Sequence, residues 1–132
     1  MSEQQNIETI QQLYAAFGRG DIAFILDFLT DDVAWNSHLA KDVPWGGDMS
    51  GKSNVPTFFE TIYSTVDVLG FDPKEFVAQG NTVVSTGTFA AAVKQTGKTG
   101  HTPWVFIWKF RDGKICSYEQ FTNADFAAIF SH

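Results

Sequence analysis

The chain has 132 residues, a net charge of −6 and 15% aromatic residues. Its length fits one domain, which we expect to span residues 1–132. The negative charge disfavours binding to nucleic acid or to an anionic membrane surface, and we expect neither partner. The first residues lack a basic, apolar leader and Cys116 is the one cysteine. These features predict a reducing, cytoplasmic location.

Helical periodicity of apolar residues predicts three helices in the first half of the chain. The first is an amphipathic helix of about four turns that ends at Gly18. Asp21 is a good N-cap for a short second helix. The residues Val33–Trp35 predict a short strand, and an irregular segment follows over residues 36–52. A third helix is expected from about Ser53 to Val66.

Alternating apolar residues in the second half predict an antiparallel meander. We expect strands near residues 71–78, 82–93, 101–110 and 114–121, each pair separated by a glycine-containing turn. A last short helix is expected over about residues 123–130. Helices followed by a meander predict an α+β fold with helices on one face of a curved antiparallel sheet.

Several short strings, spread in order over nearly the whole chain, carry a resemblance to a known family. They are Leu13–Phe17, Gly20–Asp21, Leu29–Val33, Pro44–Gly47 and Phe110–Ile115. Together they resemble the nuclear transport factor 2-like superfamily, in particular its SnoaL-like and ketosteroid-isomerase-related branch. This resemblance implies a cone-shaped half-barrel around a deep apolar pocket, and a homodimer formed through the outer sheet face. The superfamily holds both enzymes and non-catalytic binders, so activity must be argued from the site.

The catalytic groups of ketosteroid isomerase carry over to this sequence only in part. The oxyanion-hole tyrosine of that enzyme matches Tyr14. Its general-base aspartate falls near Ser37 and its protonated aspartate falls at Phe106, and neither of these is a carboxylate. The resemblance therefore does not imply steroid isomerisation by that mechanism. SnoaL uses a late aspartate as its base, and the nearest carboxylate here is Glu119.

The strand near residues 101–110 is apolar on both faces. Period-two alternation directs Trp104, Phe106 and Trp108 to the concave face, and Val105 and Ile107 to the other face. An apolar outer face needs a cover, and a second copy of the chain is the natural one. We therefore expect a homodimer.

The register of the last hairpin decides whether a carboxylate enters the pocket. If Asp112–Gly113 is a two-residue turn with regular pairing beyond it, Glu119 lies opposite Phe106 and points inward. Burial would then raise the pKa of the Glu119 carboxyl and suit it to acid or base catalysis. A bulge reverses this arrangement, placing Gln120 inside and Glu119 at the surface. The sequence leaves both registers open.

Two further residues are candidates for catalysis. Tyr14 lies on the buried stripe of the first helix, where its hydroxyl either donates to a ligand oxyanion or bonds a backbone carbonyl. His101 opens the strand of Trp104 and is either a proton shuttle at the pocket mouth or a surface residue. The sequence shows no metal-ligand spacing and no cofactor-binding motif, so we expect neither a metal nor a cofactor.

We expect an aromatic pocket with Trp45 at its mouth, as a mobile lid or a fixed plug, and with walls formed by Trp35, Phe59, Tyr63, Trp104, Phe106 and Trp108. Its ligand is a small, flat, largely hydrophobic molecule, such as a steroid, a polyketide or an aromatic metabolite.

Two functions fit such a pocket. The first is a cofactor-free isomerase, cyclase or dehydratase, in which Glu119 or His101 moves a proton and Tyr14 stabilises an oxyanion. The second is a non-catalytic small-molecule binder or dimeric interaction domain. A surface Glu119 with Gln120 inside the pocket favours the second.

Overall fold

A computed structural model describes residues 2–131. The helices are α1 (Glu3–Gly18), α2 (Ile22–Leu26) and α3 (Val55–Thr65). The strands are β1 (Leu29–His38), β2 (Gly47–Ser50), β3 (Val66–Gln79), β4 (Thr82–Val93), β5 (Thr99–Arg111) and β6 (Lys114–Thr122). Two short 3-10 helices cover Lys52–Asn54 and Ala124–Phe130.

The six strands form one curved sheet in the order β2-β1-β6-β5-β4-β3. The helices α1 and α3 pack on its concave side, so the predicted α+β class is confirmed. The expectation of a purely antiparallel sheet is wrong at one place, because β1 runs parallel to β6. This pairing puts Trp35 of β1 beside Tyr118 of β6.

Helix α1 begins at a capping box. The backbone N–H of Gln5 donates to Oγ of Ser2 at 3.1 Å, and the Ser2 N–H donates to Oε1 of Gln5 at 2.9 Å. The helix buries Ile10, Leu13 and Tyr14 against the sheet. Burial of a leucine-sized side chain contributes about 1.5–3 kcal/mol, so this stripe fixes the helix over the concave face.

The structure extends the predicted strands and adds one. The short strand predicted at Val33–Trp35 is the middle of β1, which begins at Leu29. Strand β2 lies inside the segment predicted to be irregular and pairs antiparallel with β1. Its residues are mostly exposed, so no alternation of apolar residues marks it. The predicted last helix is a 3-10 helix.

Among residues 2–131, no helix is both long enough and apolar enough to cross a membrane.

Candidate functional site

The inner faces of the sheet and the apolar faces of α1 and α3 enclose an aromatic cavity. All four tryptophans of the chain line it: Trp35, Trp45, Trp104 and Trp108. Further aromatic side chains complete the wall: Tyr14, Phe17, Phe58, Phe59, Phe71, Phe89, Phe106, Tyr118 and Phe126. Its volume is about 70 Å³, less than the roughly 150 Å³ of a cavity that holds benzene. A ligand with aromatic rings therefore enters only if lining side chains move apart.

Strand β5 supplies the main aromatic wall. The rings of Trp104 and Phe106 stack with centroids 4.0 Å apart, and Phe71 of β3 stacks on Trp104 at 5.1 Å. Trp104 lies opposite Gly87 of β4, where a Cβ atom would overlap the indole ring. The glycine thus makes the room in which the indole lies flat against the sheet.

The hydroxyl of Tyr14 belongs to a buried polar network beside this wall. Nε1 of Trp108 donates to it at 2.9 Å, and the hydroxyl also shares a hydrogen bond with Oγ of Ser85. The three groups carry three polar hydrogens and these bonds use two of them. One hydroxyl hydrogen, on Tyr14 or on Ser85, is therefore left to donate to another group.

Burial sets the charge state of Tyr14. It raises the pKa of the phenol well above its ordinary value, although the hydrogen bonds from Ser85 and Trp108 act in the opposite direction. At neutral pH Tyr14 is thus an uncharged hydroxyl, able to stabilise an oxyanion but unsuited to act as a base.

The hairpin of β5 and β6 has the predicted two-residue turn, since Arg111 pairs with Lys114. The regular pairing beyond it is interrupted, however, because Lys109 pairs with Ser117 and Cys116 is the extra residue of a bulge. Gln120 then lies opposite Phe106, and Glu119 lies opposite Ile107. The prediction that Glu119 lies opposite Phe106 is wrong, and the alternative with Gln120 inside is confirmed.

Gln120 is 4% exposed and lines the cavity. Its Nε2 donates to Oγ of buried Ser37 at 2.9 Å. Ser37 is the position expected to match the general base of ketosteroid isomerase. The structure therefore has a neutral amide and a hydroxyl at this wall of the cavity.

Glu119 points to the outer face of the sheet. Its Oε1 lies 3.0 Å from Nε2 of His38, and the His38 ring stacks on Phe121 with centroids 4.8 Å apart. The Glu119 side chain is 30% exposed, and the sheet separates it from the Tyr14 network.

Two other predicted site residues also lie outside the cavity lining. His101 is exposed on the outer face, because alternation along β5 turns Thr102 inward instead. Tyr63 packs behind the wall: its hydroxyl donates to the backbone oxygen of Phe17 at 2.8 Å and its ring stacks on the Phe17 ring. The remaining predicted wall residues, Trp35, Trp45, Phe59, Trp104, Phe106 and Trp108, all line the cavity.

Trp45 lines the cavity next to the C-terminal 3-10 helix. It is 6% exposed, and its ring meets Phe130 edge-on with centroids 5.4 Å apart. The rings of Phe89 and Phe126 also pack against it, with centroids 6.3 and 6.4 Å from that of Trp45. In this conformation Trp45 is a packed plug, held by the C-terminal 3-10 helix; its role as a mobile lid stays a prediction.

Sequence reasoning missed Tyr118, which lies opposite Trp108 and lines the cavity. The spacing of Ile115 and Tyr118 carried the necessary signal. Both are buried, yet they are three positions apart, which a regular strand cannot place on one face. A bulge between them resolves this conflict. Phe71 and Phe89, also missed, point inward from β3 and β4.

The cavity lining is electrically neutral at physiological pH. Within residues 2–131 its ionisable groups are Tyr14 and Tyr118, and burial raises the pKa of both phenols. No cluster of three potential metal ligands occurs in the same part of the chain. The arrangement can bind flat apolar rings and donate hydrogen bonds to their oxygen atoms.

Comparison with known proteins places these features in a family. The model of the SnoaL-like domain matches residues 10–118. A search of curated proteins finds no match. Among solved structures, an NTF2-like protein from Burkholderia xenovorans LB400 is 28% identical, with a TM-score of 0.87 over 100% of this chain and 99% of that one. TerC, co-crystallised with polyporic acid, is 30% identical, with a TM-score of 0.76 over 89% of this chain and 91% of its own.

A more distant structure shares the fold alone. It is a candidate polyketide cyclase from Xanthomonas campestris pv. campestris, 22% identical, with a TM-score of 0.78 over 98% of each chain.

Proposed function

Because the chain belongs to the SnoaL-like family of NTF2-like proteins, we propose that it binds a small, flat, hydrophobic molecule in the aromatic cavity. We further propose that it does so without an acid or base of its own. The observation that carries this proposal is the register of β6, which turns Gln120 into the cavity and Glu119 away from it.

The chemistry of the wall supports an aromatic ligand. Stacked rings on β5 offer flat faces, and aromatic pairs in offset or edge contact gain about 0.5–1.5 kcal/mol beyond the burial of their area. A related protein gives independent support, since TerC was crystallised with polyporic acid. The cavity of this chain must widen for such a ligand, which requires lining side chains such as the half-buried Leu39 and Phe89 to move.

A cofactor-free isomerase, cyclase or dehydratase is the second candidate. The Tyr14 network favours it, because a neutral buried hydroxyl can donate to a developing oxyanion. Proton transfer also needs an acceptor close to the ligand. Apart from its apolar side chains, the lining within residues 2–131 offers hydroxyl, amide and indole groups, so binding ranks first.

Thermal melting with added ligand tests the proposal. A ligand that binds only the folded chain stabilises it by mass action and so raises Tm. At a ligand concentration of 100 times Kd, the free energy of unfolding increases by about 2.7 kcal/mol. The probes are polyporic acid, fluorenone and fluorene. We expect at least one of them to raise Tm with a saturating dose response.

The matched control is Thr122→Phe, which adds a ring to the cavity from the half-buried Thr122 on β6. We expect this variant to fold and to lose the ligand-induced shift. A wild type that shows no shift with any probe, or a variant that shifts as much as the wild type, contradicts binding in the cavity.

We also propose that a second copy of the chain covers the outer sheet face. Val77, Val84 and Ile107 form one cross-strand row there, and Val105 and Phe121 lie opposite each other in the next. Val77 is 64% exposed and Phe121 is 39% exposed, in an otherwise acidic chain whose net charge of −6 disfavours unspecific association. Exposed apolar side chains grouped on one sheet face are typical of self-complementary interfaces.

Light scattering after gel filtration tests the dimer. We expect the wild type to have the mass of two chains and Val105→Lys to have the mass of one, with Val105→Thr as the shape-matched control. A wild type with the mass of a single chain at all concentrations contradicts the proposal.

A further inference from the structure

The inner face of β6 carries a row of polar side chains, one at every second residue. Tyr118, Gln120 and Thr122 all line the cavity. Each lies opposite an aromatic residue of β5: Trp108, Phe106 and Trp104, respectively. The cavity therefore has a flat aromatic wall on β5 and, directly beside it, a polar edge on β6.

The ring of Tyr118 is held in place on several sides. Its centroid lies 4.1 Å from that of Trp35 and 4.5 Å from that of Trp108. Phe106 and Phe58 pack against it at 5.4 and 6.2 Å. The side chain is 3% exposed, so the direction of its hydroxyl is fixed by packing before any ligand binds.

The hydroxyl of Tyr118 nevertheless has no hydrogen-bond partner within residues 2–131. The neighbouring Trp108 uses its one donor on Tyr14. The hydroxyl is accessible to a water-sized molecule, unlike Nε1 of Trp35 and of Trp104, which are sealed without a partner. Since the residue lines the cavity, its hydroxyl is open to that space, and a buried hydroxyl without a partner costs free energy until it finds one.

Tyr118 remains protonated under all ordinary conditions. Burial raises the pKa of its phenol well above the usual value, and the nearby Tyr14 raises it further. An uncharged phenol is a donor that matches an acceptor oxygen on the ligand.

Gln120 offers a second polar contact on the same edge. Within residues 2–131 its side chain makes one hydrogen bond, to Ser37, of the four that an amide group can form. Residues two apart on a strand are about 6.8 Å apart. A ligand that meets both groups therefore carries its oxygen atoms along one edge, separated by roughly the length of two to three fused rings.

From this placement, and resting on the proposed function, we propose that Tyr118 determines ligand specificity by donating a hydrogen bond to a carbonyl oxygen of the ligand. The ligand class is then the flat aromatic ketones and quinones, with the rings against β5 and the oxygen-bearing edge along β6. The inference adds a contact and a chemical class to the binding function.

Fluorenone and fluorene test this inference because they have nearly the same shape and differ in one carbonyl oxygen. We expect the wild type to bind fluorenone about tenfold more tightly than fluorene, the value of one hydrogen bond to an otherwise unpaired buried donor. Tyr118→Phe keeps the ring and removes the hydroxyl. We expect it to lower fluorenone affinity about tenfold, to leave fluorene affinity unchanged and so to abolish the preference.

Tyr63→Phe is the matched control, because the Tyr63 hydroxyl bonds the backbone of Phe17 outside the cavity lining. This variant is expected to keep the preference for fluorenone. Retention of the preference in Tyr118→Phe, or its absence in a wild type that binds both probes, overturns the inference and leaves the binding function standing. A wild type that binds neither these probes nor polyporic acid contradicts the binding function itself, and the inference falls with it.

Melting without ligand gives a second readout. Because the Tyr118 hydroxyl has no partner in the described part of the chain, Tyr118→Phe is expected to melt at the wild-type temperature or above it. A Tm several degrees lower would show that the hydroxyl is already paired in the free protein, which also overturns the inference.

Discussion

The indole nitrogen of Trp108 donates a 2.9 Å hydrogen bond to the hydroxyl of Tyr14. This bond joins the inner face of β5 to α1, 94 residues away along the chain. Both groups are buried, so neither can turn to bulk water if the other is removed. The bond also orients the Tyr14 hydroxyl toward Ser85 of β4, and one contact thereby connects the helix layer to two neighbouring strands.

Tyr14→Phe is therefore expected to destabilise the protein by about 1–3 kcal/mol, because it leaves the buried Trp108 N–H without an acceptor. Urea denaturation measures the change. Tyr118→Phe is the matched comparison, since it removes from the same cavity a hydroxyl that has no partner among residues 2–131. Equal stabilities for the two variants would contradict the assigned network.

Gly87→Ala is expected to destabilise the protein by about 1–3 kcal/mol through overpacking. The added methyl group meets the Trp104 ring and the backbone oxygen of Asp72, and the rigid strand cannot yield. The near-ultraviolet circular dichroism band of tryptophan is expected to change as the indole is displaced. Gly70→Ala is the control on the neighbouring strand, because its added methyl group makes ordinary contact at 3.9 Å. A Gly87→Ala protein as stable as Gly70→Ala, with an unchanged tryptophan band, would show that Trp104 does not fill this space.

Alkaline pH is expected to weaken folding through the buried phenols. Burial raises the pKa of Tyr14 and of Tyr118 in the folded chain, whereas both titrate near 10 when unfolded. Their contribution is complete below pH 10. Above it the unfolded state loses protons that the folded state retains, and stability falls by about 1.4 kcal/mol per pH unit for each group.

Urea midpoints between pH 8 and pH 11 measure this slope. The loss above pH 10 is expected to be shallower in Tyr14→Phe and in Tyr118→Phe than in the wild type. Identical slopes in all three proteins would mean that these phenols ionise as readily in the folded chain as in the unfolded one.

Two single substitutions on β6 test whether residue 119 or residue 120 faces the cavity. Glu119→Gln is expected to leave stability within about 0.5 kcal/mol, as for other surface substitutions. Gln120→Glu puts a carboxyl group among aromatic rings, so its ionised form is disfavoured. We therefore expect Gln120→Glu to lose stability as the pH rises from 4 to 8 relative to the wild type, in urea denaturation. A larger loss of stability in Glu119→Gln than in Gln120→Glu would instead support the register with Glu119 inside the cavity.

The helices and the long strands could be predicted because local patterns specify them. Strand β4 has the predicted bounds, and the inward row of Trp104, Phe106 and Trp108 follows from simple alternation along β5. The turn after β5 could also be predicted, because an Asp-Gly pair is typical of two-residue hairpin turns. In the structure Asp112 and Gly113 adopt the positive φ angles that such a turn requires, 52° and 80°.

The side of the sheet on which Glu119 lies could not be derived from the turn alone. One extra residue, Cys116, shifts the pairing beyond the turn by one position, and a shift of one exchanges the two faces of a strand. The parallel pairing of β1 with β6 is a long-range contact without a local signal. Predictions from alternation within one strand thus agree with the structure, whereas the prediction for Glu119, which depended on the register between two strands, does not.

The central claim is that the cavity binds a flat aromatic molecule, and titration of the tryptophan fluorescence with polyporic acid tests it most directly. All four tryptophans line the cavity, so a ligand bound inside it lies close to every tryptophan and quenches their fluorescence. After correction for light absorbed by the ligand, we predict that the quenching saturates with one binding site per chain. We predict that this saturable quenching is lost in Thr122→Phe. Quenching that rises without saturation and is identical in the two proteins would contradict the claim.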